Sequence, residues 1–329
     1  MPTASRSSFR LSDGLLLLLL GSIWGCSALF VRVVVDHVAP LWLVAGRALG
    51  GLTVAAIVVA LRRERLPRAP RTWLHLAVVG AGAMAVPWTL LAAAGDEIPS
   101  GLATLLGAPT PAMTLAIAAA VGLERVTARR AGGMLLAFAG IVLVVSGSAT
   151  ASGRLGSVAM ILASVVLFSA GGVYTRRYLH RLDPAVSVAG QLTAAAVVAL
   201  PLAVRIEVEP SLAAPASVWI AWLLLACVST SGGFILYYRL IQRVGASNAA
   251  MVSYLSPAVG LALGWFARGE QVAMEAVVGV LLTVPGIWLA QRVGAEDAAP
   301  PRRRSPAVFV TAHRRTARPT DVAAGAIAP

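Results

Sequence analysis

Arg47 is the one formal charge lying well inside an apolar run of this chain. It stands six residues beyond Leu41, about 9 Å along a helix at the usual rise per residue. A charge at bilayer depth costs roughly three to more than ten kcal/mol, so the guanidinium must find water, protein polar groups or a headgroup. Two placements satisfy it. One faces the bundle or a wet cavity, as a solute contact or a structural polar group. The other snorkels to the outer headgroups or to Asp36. Other side chains offer rings with a polar edge (Trp24, Trp88, Tyr174, Tyr238, Tyr254, Trp265) and hydroxyls (Ser27, Thr89, Thr110, Ser169, Ser231, Ser256). Such groups hold and release a small molecule without reacting with it.

The residues singled out as solute contacts are Trp24, Ser27, Arg47, Trp88, Thr110, Tyr174, Gln191, Tyr238 and Tyr254. Most have a plainer use. Trp and Tyr near helix ends form the interfacial belt, and a helical Ser or Thr bonds a carbonyl of its own helix. Trp24 departs from that pattern because it lies in mid-run. Bond-making chemistry has little to work with. His37, His75, His180 and His313 lie at run ends or in tails, and no carboxylate sits deep in a run, so neither a metal site, an acid–base pair nor a buried proton relay is expected. The chain holds no lysine, which excludes a phosphate-cradling loop and ATP-driven work. No cofactor is expected. Cys26 and Cys227 both fall in apolar runs and build no disulfide framework.

These residues are carried on a chain that cannot wet its own surface. Its 329 residues are 58% hydrophobic and 12% charged, against roughly 25% charged in a soluble domain. An ordinary soluble enzyme, a disordered protein and a nucleic-acid-binding module are excluded, and the lipid bilayer becomes the expected partner. About 20 apolar residues cross a bilayer core as a helix. Runs of that length lie near 14–35, 41–61, 72–94, 101–122, 131–149, 155–175, 184–204, 218–238, 247–267 and 272–291. The expected fold is therefore all-α integral membrane with ten transmembrane helices.

The net charge of +13 comes with 27 basic residues, all arginine. With a cytoplasmic N-terminus, 22 of those 27 fall on the inner side, in the loops around 62–71, 125–130, 176–181 and 239–243 and in the two tails. Asp36, Asp96, Glu97, Glu207, Glu209 and Glu270 fall outside. That bias places both termini in the cytoplasm of a multi-pass protein of the inner (plasma) membrane. A rival reading of the start, a cleaved signal ending near Cys26, fits less well, because Trp24 is a poor neighbour for cleavage and the apolar run continues to Val35. Residues 1–13 form a cytoplasmic tail, and the Arg-rich segment 292–329 reads as disordered.

The sequence repeats itself. An offset of 146 aligns Pro111 with Pro257, Glu124 with Glu270, Gly133 with Gly279 and Gly140-Ile141 with Gly286-Ile287. Upstream, an offset of 144 aligns Pro40 with Pro184 and Val44-Ala45-Gly46 with Val188-Ala189-Gly190, which makes Gln191 the counterpart of Arg47. Each repeat, 14–149 and 155–291, holds five runs. An odd number turns the second repeat upside down, giving two inverted five-helix repeats, and the alternating loop charges agree. Inverted repeats are the architecture of carriers that open to alternate sides around a midplane site. Pro111 and Pro257 remove backbone donors at equivalent places and are expected to kink their helices. Gly21/Gly25, Gly46/Gly50 and Gly260/Gly264 permit close packing and leave a homodimer open.

Several stretches carry a family resemblance. Tyr237-Tyr238-Arg239-Leu240 through Gly245-Ala246-Ser247, then Leu255-Ser256-Pro257, Gly264-Trp265 and Gly269-Glu270, resemble the second repeat of EamA-type transporters in the drug/metabolite transporter superfamily. Ser22-Ile23-Trp24-Gly25 followed by Arg47, Pro109 to Glu124, and Gly133 to Gly140 resemble the first. The resemblance implies ten helices in two EamA repeats and movement of small-molecule substrates, often amino acids or related compounds and frequently outward. The expectation is thus a secondary transporter, not an enzyme. The alternative is a non-transporting membrane receptor or scaffold, although no extramembrane segment is large enough for a customary output domain.

Overall fold

A computed structural model describes residues 11–94, 106–146, 155–208, 214–256, 258–259 and 274–291. Every regular element among them is a helix. In chain order they are α1 (Leu11–Val35), α2 (Pro40–Leu61), α3 (Pro70–Ala94), α4 (Thr110–Ala120), α5 (Ala128–Ser146), α6 (Leu155–Leu179), α7 (Pro184–Ile206), α8 (Ala216–Val244) and, after a short helix Ala246–Ala250 and a helical stretch 252–256, α9 (Met274–Gln291). Five of these, α2, α3, α6, α7 and α8, are long and apolar enough to cross a bilayer. The outer acids Asp96, Glu97, Glu209 and Glu270, parts of the runs 101–122 and 247–267, Pro257, Gly260, Gly264, Trp265 and both tails lie outside the described residues.

Prolines set where helices begin. Pro40, Pro70 and Pro184 occupy the first turns of α2, α3 and α7, where a missing N–H leaves no bond unmade. The Asp183 side chain caps α7 by accepting from the Ala185 amide at 2.8 Å. Pro111 likewise stands in the first turn of α4, just after a turn at residues 108–109. Pro201 and Pro285 lie inside α7 and α9. Gly245, at φ 91°, ends α8 in a conformation that other residues avoid and starts the short helix after it.

The helices are pinned end to end. At the arginine-rich end, Arg243 of α8 pairs with Asp13 of α1 at 3.0 Å. Arg176 of α6 donates to the Ile241 and Gln242 carbonyls at 3.1 and 2.9 Å. Glu124, after α4, pairs with Arg130 of α5 at 2.7 Å and accepts from the Ser247 amide at 3.2 Å. At the other end Glu207, just past α7, accepts from the Leu41 and Trp42 amides at 2.9 and 3.1 Å, while the Trp222 indole donates to the Leu43 carbonyl at 3.2 Å.

Small residues let the helices touch. A Cβ on Gly133 or Gly140 of α5 would run into the α9 backbone at Ala290 or Gly279, and one on Gly286 of α9 into Ala137 of α5. Gly46 of α2 lies against the Trp222 ring of α8, as Gly190 of α7 lies against Leu76 of α3. Three stretches relax from α to π geometry: Gly80–Ala85 in α3, Thr175–Leu179 in α6 and Leu225–Gly232 in α8. Such widened turns leave carbonyls for other partners and gather at functional positions. Two surface grooves, about 360 and 330 Å³, run along α7 against α2 and against α3. Their linings are almost wholly apolar, do not include Arg47, and suit lipid contact.

Candidate functional site

The π stretch of α8 is the anchor of the site. Its carbonyls and hydroxyls are met by two helices of the first half. From α1, the Trp24 indole donates to the Ser229 carbonyl at 3.1 Å. From α2, Arg47 Nε donates to Thr230 Oγ1 at 3.0 Å, and that hydroxyl in turn donates to the Leu225 carbonyl at 2.8 Å. One hydroxyl therefore links the guanidinium to a carbonyl of the widened turn.

Rings surround this anchor. Trp24 lies 5.3 Å from Tyr237, 5.4 Å from Phe234 and 6.0 Å from Phe168, centre to centre. Phe168 stacks on Tyr237 at 5.5 Å, and Trp88 meets the edge of Phe234 at 5.8 Å. Phe234 lies 5.8 Å from Tyr238 as well. These separations fall in the range of favourable ring pairs, each contributing about 1 kcal/mol beyond burial. The cluster draws on α1, α3, α6 and α8.

Arg47 completes it. Its guanidinium carbon stands 4.3 Å from the centre of the Trp88 ring, and among the described residues no carboxylate pairs with it. The cation–π contact and the Thr230 bond contribute about 2 kcal/mol each. Together these fall short of the upper range for burying a guanidinium in a membrane. The side chain is half-buried and turned into the bundle, so its terminal nitrogens remain free to donate.

Gln191, the counterpart of Arg47, lies on α7 and is fully buried. Its amide oxygen accepts a hydrogen bond from the Tyr238 hydroxyl, while its Nε2 is buried with no acceptor. The Tyr237 and Ser231 hydroxyls are buried without partners too. The Gln191 carbonyl rests on Gly80, in the π stretch of α3. Each member of the Arg47/Gln191 pair thus packs against the π stretch of the other half.

Of the nine candidate contacts, Trp24, Arg47, Trp88, Gln191 and Tyr238 are brought into this one cluster. The others go elsewhere. Ser27 donates to the Trp24 carbonyl at 2.7 Å, within its own helix. Thr110 donates to the Gly107 carbonyl, and Ser169 donates to the Thr110 carbonyl at 3.3 Å. Tyr174 bonds His75 at 2.7 Å beside Tyr178, toward the arginine-rich end. Tyr254 donates to the Met134 carbonyl at 3.3 Å. Phe168, Phe234, Tyr237 and Thr230 were not among the candidates, yet they form much of the wall. Phenylalanine has no polar edge to mark it. Tyr237 and Thr230 differ from their many neighbours only in which way their helix is turned.

The site can bind and cannot catalyse a covalent step with the groups it presents. It offers a cation, hydrogen-bond donors and ring faces, with no nucleophile–base pair in reach among the described residues. Among the described residues no three His, Cys, Asp or Glu side chains gather as metal ligands.

The EamA-like transporter family model matches the chain twice, over residues 12–146 and 155–291. A protein of Streptantibioticus cattleyicolor named "Probable terminal-alkyne amino-acid exporter" is 28% identical over 291 residues, covering 85% of this chain and 95% of its own. A Salmonella typhimurium protein named "Probable amino-acid metabolite efflux pump" is 25% identical over 289 residues, covering 84% of this chain and 94% of its own. The fold is similar to a solved crystal structure at a TM-score of 0.72 and 22% identity, covering 85% of this chain and 96% of that one. These relatives are transporters rather than enzymes. An all-helical, multi-pass membrane transporter, the chain belongs to the EamA-like transporter family.

Proposed function

We propose that the protein is a secondary transporter that exports small metabolites, amino acids or related compounds, by alternating access. It would do so through ten helices in two inverted repeats, in the cell's inner membrane, with both termini cytoplasmic. What supports this reading most is a set of contacts that recurs between the two halves. Under the offsets found in the sequence, the π stretch Gly80–Ala85 falls within the counterpart Leu225–Gly232. The Gly46–Trp222 contact maps onto Gly190–Leu76, and the Gly140 contact with α9 maps onto the Gly286 contact with α5. Halves that pack against each other by matching contacts, on helices running in opposite directions, are what two near-equivalent open states require. The names of the relatives support amino-acid export, and a cluster of rings around one cation suits weak, reversible binding.

Counterflow in proteoliposomes tests this. The full chain is reconstituted, the vesicles are loaded with one unlabelled amino acid at a time, and uptake of the same labelled compound is followed. At least one member of the panel is expected to show a transient overshoot that protein-free vesicles lack. No overshoot for any amino acid would overturn the reading.

A further inference from the structure

We infer that the solute bound at the ring cluster carries a single carboxylate, which docks on Arg47, and an apolar body, which lies on Trp88, Phe234 and Trp24. This deepens the transport reading and rests on it for the site's purpose, though not for its test. The first support is the charge balance of the cluster. Arg47 is held by Thr230 and Trp88 through Nε and the ring face, which leaves the terminal fork of the guanidinium unused. That fork matches a carboxylate in a bidentate grip.

The second support is the surplus of donors. Gln191 Nε2 is buried with no acceptor among the described residues, beside Tyr238 of the cluster, and the polar groups already paired around Arg47 are the Ser229 and Leu225 carbonyls and Thr230. A ligand that brings acceptors fits such a site, and one that brings only donors does not. The third is stoichiometry. One cation that pairs with no carboxylate among the described residues balances one negative charge, so a dianion would leave a charge uncompensated in low dielectric. The five rings along α1, α3, α6 and α8 then take the remainder of the solute. An amine carried by the solute is tolerated but is not the group recognised.

The test uses two probes of one shape, 3-phenylpropionate and the neutral 3-phenylpropanamide. Each is titrated into the purified full chain while intrinsic tryptophan fluorescence and thermal unfolding are followed. The acid is expected to bind at least about tenfold more tightly than the amide, close to the loss of one charge-assisted contact. Arg47→Gln should remove the difference and Arg47→Lys should keep part of it. Equal binding of acid and amide to the unaltered chain would overturn the inference without any variant, as would an acid preference that persists in a folded Arg47→Gln protein. Counterflow reports separately. A tenfold preference without counterflow keeps the carboxylate site and removes transport, and counterflow without the preference does the reverse.

Discussion

The Thr283 hydroxyl of α9, which donates to the Gly279 carbonyl of its own helix at 2.8 Å, also lies 3.5 Å from the Ala137 carbonyl of α5, 146 residues earlier in the chain. That separation is also the offset of the internal repeat, so the two residues are counterparts that meet. Counterparts that meet are what the proposed inverted repeat would place at its two-fold axis. The glycines on either side obey the same rule, since Gly140 faces Thr283 and Gly279 while Gly286 faces Ala137 and Gly133. The contacts run in opposite directions along α5 and α9, so the two helices are antiparallel, as the proposed inverted repeat requires.

Gly140→Val and Gly286→Val should therefore destabilise the protein by similar amounts. Each introduces methyl groups where backbone already stands, a cost of about 1–3 kcal/mol for overpacking. The double variant should cost less than the sum of the singles, because the first displacement already opens the shared crossing. Melting of the detergent-solubilised protein checks this, and a neutral effect at one site with a severe effect at the other would contradict the symmetry.

Glu207 is expected to hold the start of α2. Pro40 has no N–H, so the Leu41 and Trp42 amides are among the first that need an acceptor, and both donate to the Glu207 carboxylate. Glu207→Ala should cost about 1 kcal/mol as a lost helix cap, and Glu207→Gln less, since one oxygen remains while the favourable charge at the helix start is lost. Hydrogen exchange at the Leu41 and Trp42 amides should accelerate in the same order.

Tyr238→Phe removes the donor to the Gln191 side chain, leaving both ends of a fully buried amide unpaired. The expected loss is about 1–3 kcal/mol of stability. Gln191→Leu added to Tyr238→Phe should recover much of it, because removing both partners leaves nothing unsatisfied. A double variant as unstable as the sum of the singles would show that the two side chains are not coupled.

The apolar runs were legible because a bilayer demands unbroken hydrophobic length, and where those runs fall on described residues they are helical apart from turns at 108–109, 121–122 and 251. Arg47 and Gln191 were legible as a pair because the repeat aligned them. What they touch was not. Thr230 and Tyr238 look like many other helical residues until a helix is rotated against its neighbour, and a rotation of one position, about 100°, decides whether Tyr237 or Tyr238 reaches Gln191. Tyr174 and Tyr254 had the same claim on the site by residue type and joined His75 and Met134 instead. The π stretches left no mark either, since Gly80–Ala85 and Leu225–Gly232 share small residues with much of the chain.

The reversal of the two halves is the claim on which alternating access depends, and paired cysteine labelling measures it most directly. Glu64 and Val208 are counterparts just beyond α2 and α7, and both are exposed. In a chain carrying Cys26→Ser and Cys227→Ser, Val208→Cys should react with a membrane-impermeant maleimide in intact cells. Glu64→Cys should react only after the membrane is permeabilised. Labelling of both from the same side would contradict the inverted arrangement, and the transport cycle built on it would fall.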